Sequence, residues 1–364
     1  MLKSKIKHIY IHIPFCKTIC PYCSFYSIIG KPNKEYINSI EKEIKNAKKY
    51  FKIEPKTIYF GGGTPSLLNY KQLGLLIKEL NPKKSCEITV EFNPNSANFE
   101  IAKKLLELGV SRVSLGCQSF LESELKLLGR THTTVDNYKA VEIFKNVGFK
   151  NINLDLIYGL PNQKKEDVLK SIKEMILLNP QHISAYLLHL ENGTPLFRLK
   201  NKIPKDDILS DFYNIIKNEL INSGFTQYEL SNFCLYGFES HHNKSYWSDK
   251  YYLGFGSSAA SYYANKKKLF RKTNSSSEQS SQNYFDEQYI LSERKHKSEY
   301  IFLALRRNKG LNLFEYKRIF SSDFINEFNT VIEKYKDIFL IKGNYIRLKS
   351  NAFFISDEIF SEFV

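Results

Sequence analysis

Cysteine is scarce in this sequence, and the spacing of the few cysteines excludes one class of protein. Only six of the 364 residues are cysteines, at positions 16, 20, 23, 86, 117 and 234. Three crowd together near the start and three lie far apart, which is not the pattern of a disulfide framework. A chain of this length can build a core without disulfides. We therefore expect a reducing, cytoplasmic setting.

Long apolar runs are also missing. No stretch approaches the roughly 18 consecutive apolar residues that a membrane-spanning helix requires. The first residues, MLKSKIKHIYIHIPF, alternate between polar and apolar like a strand, without the apolar core and small-residue cleavage site of a signal peptide. The sequence therefore predicts neither a membrane span nor a secretion signal.

Acidic residues are few relative to basic ones. The chain has 38 Asp and Glu against 53 Lys and Arg, a formal net charge of +15. Such an excess points to nucleic acid, anionic lipid or an acidic ligand as partner, or to solvated helix faces alone. The lysines are scattered, with neither a single basic stripe nor an aromatic RNA-binding signature, so we expect no nucleic-acid partner.

Short apolar strands alternate with helical segments from about residue 7 to residue 230. The strand-like segments are HIYIHI, TIYFGGG, EITVEFNP, RVSLGCQS, INLDLIYGLP and HISAYLLHLE. This alternation is typical of βαβ units and a parallel sheet. About six units are too few for a closed eight-fold barrel, so the sequence predicts an α/β fold with a partial or open barrel.

The periodicity weakens after residue 230. A polar, low-complexity stretch over 274–285 is typical of a linker or loop. Beyond it, SEYIFLALRRNKGLNLFEYKRIF and FINEFNTVIEKY are amphipathic helices, and DIFLIKGNYIRLK predicts a hairpin that turns at Gly343 and Asn344. We predict a barrel over 1–230, an extension over 231–290 and a small winged-helix-like α+β domain over 291–364.

Residues capable of chemistry follow the predicted strands at their carboxyl ends. They are the first three cysteines, Gly61 to Thr64, Glu91, Gln118, Asp155 and His189. Ligands bind at that edge in parallel α/β folds. We therefore expect these residues to share one site.

The run HIPFCKTICPYCSFYS spaces Cys16, Cys20 and Cys23 as C-x3-C-x2-C. Close thiolates on one loop are suited to hold a metal, and a four-iron cluster held by only three keeps one iron open for another ligand. Zinc with His12 or a distant cysteine as fourth ligand is an alternative, because zinc prefers four ligands. Three neighbouring structural or redox cysteines are another.

Several motifs resemble the radical S-adenosylmethionine (SAM) superfamily, whose fold is a partial (β/α)6 barrel. Beside the cysteine run, YFGGGTPSLL, GVSRVSLGCQSF, LGRTH, LDLIYGLPNQ and HHNKSYW are similar to the family of oxygen-independent coproporphyrinogen III oxidase and the haem chaperone HemW. The matching motifs begin at Tyr10, two residues before this cysteine run, and end at Ser261 in YLGFGSSAAS, and the C-terminal segment matches too.

The resemblance implies that Cys16, Cys20 and Cys23 hold a [4Fe–4S] cluster whose open iron binds SAM. It also implies a set of cofactor-binding residues: Tyr10, Tyr22, Gly62, Gly63, Thr64, Glu91, Gln118, Arg130, Asp155, His189 and Ala260. Each has a structural explanation as well. Thr64 suits a helix cap after a tight turn, the tyrosines suit the core, and the charged residues suit caps or surface ion pairs.

One position separates the two branches of this family. After the third cluster cysteine the oxidase pattern has a fourth cysteine two residues on, where this chain has Phe25, as the HemW branch does. The resemblance therefore implies a haem chaperone, with the oxidase, an enzyme that forms protoporphyrinogen IX, as the alternative. Cys117, at the same edge, could close the cluster as a fourth thiolate, or pack as a small hydrophobe.

The segment ESHHNKSYW resembles the H-N-x-x-Y-W signature of the HemW branch. Imidazole is a good iron ligand, so His242, with His241 as competitor, is a candidate haem ligand. The alternative is a loop organised by hydrogen bonds of His, Asn, Tyr and Trp. The expected partners are haem and haem-accepting proteins, including respiratory ones. Transient association with a membrane and a homodimer are both compatible with this hypothesis.

Overall fold

The computed structural model describes residues 3–266, 268–275 and 288–363. The strands are β1 (Lys5–Ile13), β2 (Phe15–Cys16), β3 (Ile28–Ile29), β4 (Lys52–Gly62), β5 (Glu87–Phe92), β6 (Arg112–Gln118), β7 (Ile152–Tyr158), β8 (His182–Leu187), β9 (Thr226–Gln227), β10 (Asn232–Cys234), β11 (Tyr252–Phe255), β12 (Ala260–Asn265), β13 (Lys268–Thr273), β14 (Gln288–Ile290), β15 (Leu311–Asn312), β16 (Phe339–Lys342) and β17 (Tyr345–Leu348).

The helices are α1 (Lys34–Tyr50), α2 (Tyr70–Leu80), α3 (Phe99–Glu107), α4 (Glu122–Leu127), α5 (Thr134–Val147), α6 (Lys165–Leu177), α7 (Asp206–Asn222), α8 (His241–Tyr246), α9 (Glu293–Leu305), α10 (Leu313–Phe320), α11 (Phe324–Glu327), α12 (Asn329–Lys334) and α13 (Ser356–Ser361). Short 3₁₀ turns follow β4, β5 and β8. None of the described helices is long and apolar enough to cross a membrane.

Six parallel strands form the centre of a twelve-stranded sheet, which confirms the predicted α/β architecture. Strands β1, β4, β5, β6, β7 and β8 lie side by side in chain order, and each is followed by at least one helix. The helices form where local signals favour them. In α1, Asn33 caps the first turn, and apolar side chains at helical spacing, such as Ile37, Ile40 and Ile44, face the core.

The sheet extends beyond these six strands into a part of the chain where the sequence predicted no strands. Strand β11 lies parallel to β1, with Tyr10 opposite Gly254, and β12, β13 and β14 continue antiparallel outward from it. Antiparallel β10 and β9 extend the other edge. Residues 231–275 therefore share the barrel's sheet, while the domain boundaries at 230 and 290 stay a prediction. Most of the predicted linker, residues 276–285, lies outside the described residues.

Two helices and a hairpin were predicted at the C-terminus, and the predicted helices are each divided in two. Helix α9 ends at Leu305 and α10 begins at Leu313, and Gly310, with a φ of 80°, and strand β15 lie between them. The predicted second helix is divided at Phe328 into α11 and α12. The hairpin of β16 and β17 turns at Gly343 and Asn344 as expected, and β17 also pairs with β15.

Side chains alternate between the two faces of the sheet along the central strands, and this alternation places polar residues on one face. Apolar residues on one face, such as Ile58, Val90 and Leu115, join the hydrophobic core. The other face carries polar groups that bond to one another across strands, as Asp155 does with Ser114. We call this polar inner face of β4 to β8 the bore. The residues of this face that lie at the carboxyl ends of the strands are therefore at the edge where ligands bind in such folds.

Candidate functional site

A cavity of about 490 Å³ opens at the carboxyl ends of the central strands. Most of the site residues that the sequence suggested line it: Cys16, Cys20, Tyr22, Cys23, Gly62, Gly63, Thr64, Glu91, Gln118, Arg130, Asp155 and His189. Side chains from six consecutive strand ends thus meet in one space. The expectation of a single shared site agrees with this geometry.

The cysteines lie on a loop that leaves β1 and returns to it. Strands β2 and β3 pair in parallel at the base of this loop, and the backbone N–H of Gly30 donates to the carbonyl of Cys16 at 3.0 Å. A turn closed by the N–H of Cys23 and the carbonyl of Cys20 brings those two residues together. All three thiols are free and border the cavity.

Two donors are directed at the sulfur atoms. The hydroxyl of Thr64 lies 3.5 Å from Cys16 Sγ, and Arg130 Nη1 lies 3.7 Å from Cys20 Sγ. Donors of this kind stabilise thiolates, which are the form that binds metal. The surroundings of Cys16 and Cys20 therefore suit ligation, whereas burial raises the pKa of the Cys23 thiol.

The donor set fits a cluster better than a single zinc ion. Within residues 3–266, 268–275 and 288–363, no group of three or more His, Cys, Asp and Glu side chains converges closely enough to hold one metal ion. In a four-iron cube each thiolate binds a different iron, so its ligands stand farther apart. His12, the alternative fourth ligand, has both ring nitrogens engaged, with Tyr10 Oη at 3.1 Å and the carbonyl of Tyr26 at 3.1 Å.

The other cysteines lie elsewhere. Cys117 is fully buried in the hydrophobic core, on the side of β6 opposite to the cavity-lining Gly116 and Gln118. Burial raises the pKa of its thiol. Cys117 therefore packs as a small hydrophobe, which was the second of its two interpretations.

The glycine loop after β4 packs tightly under the cysteine loop. The N–H of Gly63 donates to the carbonyl of Ile13 at 2.8 Å, and a Cβ on Gly63 would lie 2.6 Å from the carbonyl oxygen of Pro14. Gly62 has a φ of 114°, which favours glycine. Thr64 precedes a short 3₁₀ turn but makes no capping bond. Its hydroxyl is used toward Cys16 instead, so the capping interpretation of Thr64 is wrong.

Two half-buried carboxylic acids, Glu91 and Asp155, form the floor of the cavity. Glu91 accepts a hydrogen bond from Tyr59 Oη at 2.7 Å and one from the N–H of Gly62 at 3.3 Å. Asp155 accepts from Ser114 Oγ at 3.1 Å and from Asn153 Nδ2 at 2.8 Å. Burial, assisted by the charge of Asp155, raises the pKa of Glu91 to about 7. Burial also raises the pKa of Asp155.

Gln118 and Arg130 form one wall of the cavity. Both side chains lie against Gly116, where a Cβ atom would come close to them. Gln118 has a φ of 64°, and its buried Oε1 has no hydrogen-bond partner. Arg130 donates to Asn93 Oδ1 and, at 3.1 Å, to the carbonyl of Gly116. A buried acceptor without a donor is rare in proteins and marks a place where a ligand donor would fit.

Tyr10, Ala260 and His189 were also predicted to bind the cofactor, but they lie outside the cavity or at its edge. Tyr10 does not line the cavity; its hydroxyl bonds His12, and its ring stacks on Tyr59. Ala260, at the start of β12, is exposed and also outside the cavity lining. His189 is exposed at the cavity edge. Tyr10 therefore contacts the cavity lining through its stacking on Tyr59.

The two candidate haem ligands differ in accessibility. His242 is 1% exposed; its Nδ1 lies 2.8 Å from Thr57 Oγ1 and its Nε2 lies 2.9 Å from Tyr246 Oη. Its ring also stacks on Tyr59. Neither ring nitrogen of His242 is free to bind iron in this arrangement. His242 instead organises its loop by hydrogen bonds, as the alternative interpretation of this segment predicted. His241 is exposed. The geometry therefore ranks His241 above His242, the reverse of the order from sequence.

Sequence reasoning missed residues whose side chains complete the site. These are Tyr59, Asn93, Ser114, Gly116 and Tyr186, all of which line the cavity. Most follow from strand alternation, since Tyr59 is two residues before Gly61, and Ser114 and Gly116 precede Gln118 in steps of two. That signal was present in the sequence.

The cavity edge is unusually apolar. Ile19, Phe25 and Tyr186 line the cavity and are 41%, 71% and 41% exposed. Phe25 is the residue that replaces the fourth cysteine of the oxidase pattern. Exposed aromatic and aliphatic groups beside a cavity favour an apolar, flat ligand or partner there.

Comparisons with known proteins establish the family of this chain. Residues 10–175 match the model of the radical SAM superfamily. The heme chaperone HemW of Lactococcus lactis subsp. lactis is 34% identical, with 98% of this chain and 96% of the relative covered. HemW of Bacillus subtilis is 32% identical, with 99% of each covered.

Among solved structures, coproporphyrinogen III oxidase (HemN) from Escherichia coli superposes with a TM-score of 0.82. The match covers 100% of this chain and 90% of that one, at 22% sequence identity. At this identity the likeness establishes the fold. This structural likeness agrees with the predicted fold, a partial barrel followed by a C-terminal region.

Proposed function

Because the chain belongs to the radical SAM superfamily and, within it, to the family of the haem chaperone HemW, we propose that it binds haem and transfers it to haem-accepting proteins. The relatives that carry that name match this chain over nearly its full length. We further propose that the cavity holds a [4Fe–4S] cluster and SAM. Membership of the superfamily supports both cofactors.

Cys16, Cys20 and Cys23 would hold the cluster. Three free thiols border the cavity, and Thr64 and Arg130 place donors near two of them. When bound, the cluster and SAM supply the redox and radical chemistry of the superfamily. The protein's contribution is to bind and orient them.

The remaining cavity residues suit the groups of SAM. Arg130 offers a guanidinium to a carboxylate, and Glu91 and Asp155 offer acceptors to hydroxyl and ammonium groups. Gln118 Oε1, buried without a partner, accepts a further donor. Each of these assignments rests on the cavity geometry together with the family resemblance.

The single observation that favours carrier over oxidase is Phe25. It stands at the position of the oxidase's fourth cysteine, and its ring is exposed beside the cavity. A phenyl ring supplies no thiolate, but it does supply an apolar face on which a porphyrin can stack. The two candidate axial histidines lie away from Phe25: the backbone N–H groups of His241 and His242 donate to Glu87, the first residue of β5, at the end of the strands opposite to the cavity. For a haem bound there, separately from the Phe25 surface, we propose His241 before His242 as ligand, because both ring nitrogens of His242 are already bonded.

A direct assay separates the two activities. Anaerobic, cluster-reconstituted protein is incubated with coproporphyrinogen III, reductant and SAM, with an authentic oxidase as positive control. We expect no protoporphyrinogen. Its formation would overturn the carrier assignment and establish the oxidase.

Haem binding is tested by titrating haemin and following the Soret band. We expect a shifted band that saturates at a stoichiometric ratio, and a band position that changes in H241A. If the Soret shift were lost in H242A and unchanged in H241A, our order of the two candidate ligands would be reversed. If the Soret band neither shifted nor saturated as haemin was added, the proposal that the protein binds haem would be refuted.

A further inference from the structure

Asn93 lies at the cavity, directly after strand β5. It lines the cavity two residues beyond Glu91. The residue also precedes the short 3₁₀ turn Pro94–Ser96, where an asparagine commonly caps the turn with its side chain, but Asn93 makes no capping bond. Its side-chain amide is therefore available for other partners.

The amide of Asn93 bonds to two residues that each face a different cysteine. Its Oδ1 accepts from Arg130 Nη2, and its Nδ2 donates to Thr64 Oγ1 at 3.4 Å. The hydroxyl of Thr64 lies 3.5 Å from Cys16 Sγ. The other terminal nitrogen of the guanidinium, Nη1, lies 3.7 Å from Cys20 Sγ. One side chain thus connects the donors of two of the three proposed cluster ligands.

The direction of these hydrogen bonds follows from which groups can donate. A guanidinium has donors only, so the Asn93 atom that faces Arg130 must be the oxygen. The NH2 group of Asn93 then faces Thr64, whose oxygen must accept from it. A hydroxyl has a single hydrogen, and in Thr64 that hydrogen is left for Cys16 Sγ. The orientation of the Asn93 amide therefore determines where the Thr64 hydroxyl points.

Arg130 is also held from its other side. Its Nη2 donates to the carbonyl of Gly116 at 3.1 Å, and its Nε donates to His132 Nδ1 at 3.4 Å. His132 Nδ1 can accept because the other ring nitrogen, Nε2, lies 3.1 Å from the carbonyl of Cys117 and carries the hydrogen. Together with Asn93, these acceptors fix the plane of the guanidinium and leave Nη1 facing Cys20.

We propose that Asn93 is a positioning residue, whose amide directs the hydroxyl of Thr64 to Cys16 and the guanidinium of Arg130 to Cys20. Hydrogen bonds to the sulfurs of an iron–sulfur cluster stabilise its reduced, more negative form, so Asn93 raises the reduction potential of the cluster. That these sulfurs hold a cluster rests on the proposed function above. The hydrogen-bonded chain does not, because it joins side chains of the protein alone.

Asn93→Asp separates orientation from the mere presence of the donors. A carboxylate at this position can still accept from Arg130, but it has no hydrogen to donate to Thr64. The hydroxyl of Thr64 then donates to the carboxylate, and Cys16 loses its hydrogen bond. Thr64→Val removes the same hydrogen bond by deleting the hydroxyl. The proposal therefore predicts that the effects of the two substitutions on the cluster do not add.

The first experiment observes the side-chain amide of Asn93 by NMR in cofactor-free protein labelled with ¹⁵N-asparagine. Its signals are assigned by their loss in N93D. We expect T64V to shift these signals and T64S, which keeps the hydroxyl, to leave them in place. Unchanged Asn93 signals in folded T64V would overturn the proposal. If T64V does not fold, T64A takes its place with the same expected shift.

Asn95, on the same turn, provides the matched control. It is exposed, lies outside the cavity lining, and donates from Nδ2 to Thr131 Oγ1 at 3.1 Å. T131V removes a hydroxyl from this bond, as T64V does from that of Asn93. We expect T131V to leave the Asn93 signals unchanged. A shift as large as that in T64V would show that the response is not specific and would contradict the proposal.

The second experiment measures the reduction potential of the reconstituted cluster by EPR-monitored titration with dithionite. We expect T64V and N93D each to make reduction about tenfold less favourable, as for the loss of one hydrogen bond to a charged group. For a one-electron couple this is about 59 mV. N95D adds the same charge two residues away on an exposed side chain and should change the potential much less.

The double variant T64V/N93D decides between orientation and charge. If Asn93 orients Thr64, T64V should lower the potential little further once N93D is present. Full additivity would show that N93D acts by its charge alone and would contradict the proposal. If N93D retains no cluster, T64V is compared with T64S, and equal potentials would contradict the proposal. A wild-type protein that assembles no cluster would refute the proposed cluster site, while the NMR result would still decide the role of Asn93.

Discussion

Gly116 is a residue on which the candidate site depends, although the sequence did not suggest it as a site residue. It lies in β6 between Leu115 and Cys117, on the cavity side. A Cβ built on it would lie 2.9 Å from Gln118 Nε2 and 3.3 Å from Arg130 Nη2, closer than ordinary contacts. Gly116→Ala therefore forces two cavity side chains to move without touching the core.

The magnitude can be worked from these contacts. Both obstructing atoms are at the ends of flexible side chains, so the strand itself need not shift, and the alanine restricts the unfolded chain. We expect the free energy of unfolding to change by less than about 1 kcal/mol. Displacing Gln118 and Arg130 should cost about 1–2 kcal/mol of binding, since each would lose part of a ligand hydrogen bond. That is about 5- to 30-fold in SAM affinity.

Cys117→Ala is the matched control, because the next residue on the same strand faces the other way. Its thiol is fully buried in the core, so this variant should lose about 1 kcal/mol of stability and keep its affinity. The assay pairs urea unfolding with calorimetric titration of SAM. Undiminished affinity in a stable G116A protein would refute the placement of Gln118 and Arg130 against the ligand.

Three further outcomes follow from the same structure. Thr57→Val removes the hydroxyl between His8 Nδ1 at 3.0 Å and His242 Nδ1 at 2.8 Å, and should lower the free energy of unfolding by about 1–3 kcal/mol in urea. Burial lowers the pKa of His242 to about 3, so below pH 6.5 the unfolded chain takes up a proton that the folded chain refuses. Stability should then fall as pH decreases from about 6.5, and less steeply in H242Q; equal slopes would contradict this. Cys16→Ala should abolish iron and sulfide incorporation on anaerobic reconstitution, whereas C117A should retain both; cluster assembly in C16A would remove the ligand assignment.

Much of the fold could be read from local pattern. Helix caps, apolar spacing and strand alternation operate over a few residues, and so β1, β4 to β8 and their helices lie close to where the sequence placed them. The strands between residues 230 and 290 were not predicted, because they are short and belong to a sheet in which some partner strands are distant in sequence. Strand β11, for example, pairs with β1, about 240 residues earlier.

The sequence by itself determined the cysteine spacing, the family and the set of residues that meet at one sheet edge. Only the tertiary structure decided which way those side chains point: that Cys117 faces the core, that His242 is enclosed by Thr57 and Tyr246, and that Glu91 accepts a hydrogen bond from Tyr59. The physical reason is that ligand spacing and periodicity are local, whereas burial, charge balance and hydrogen-bond partners are set by strands that meet from distant parts of the chain.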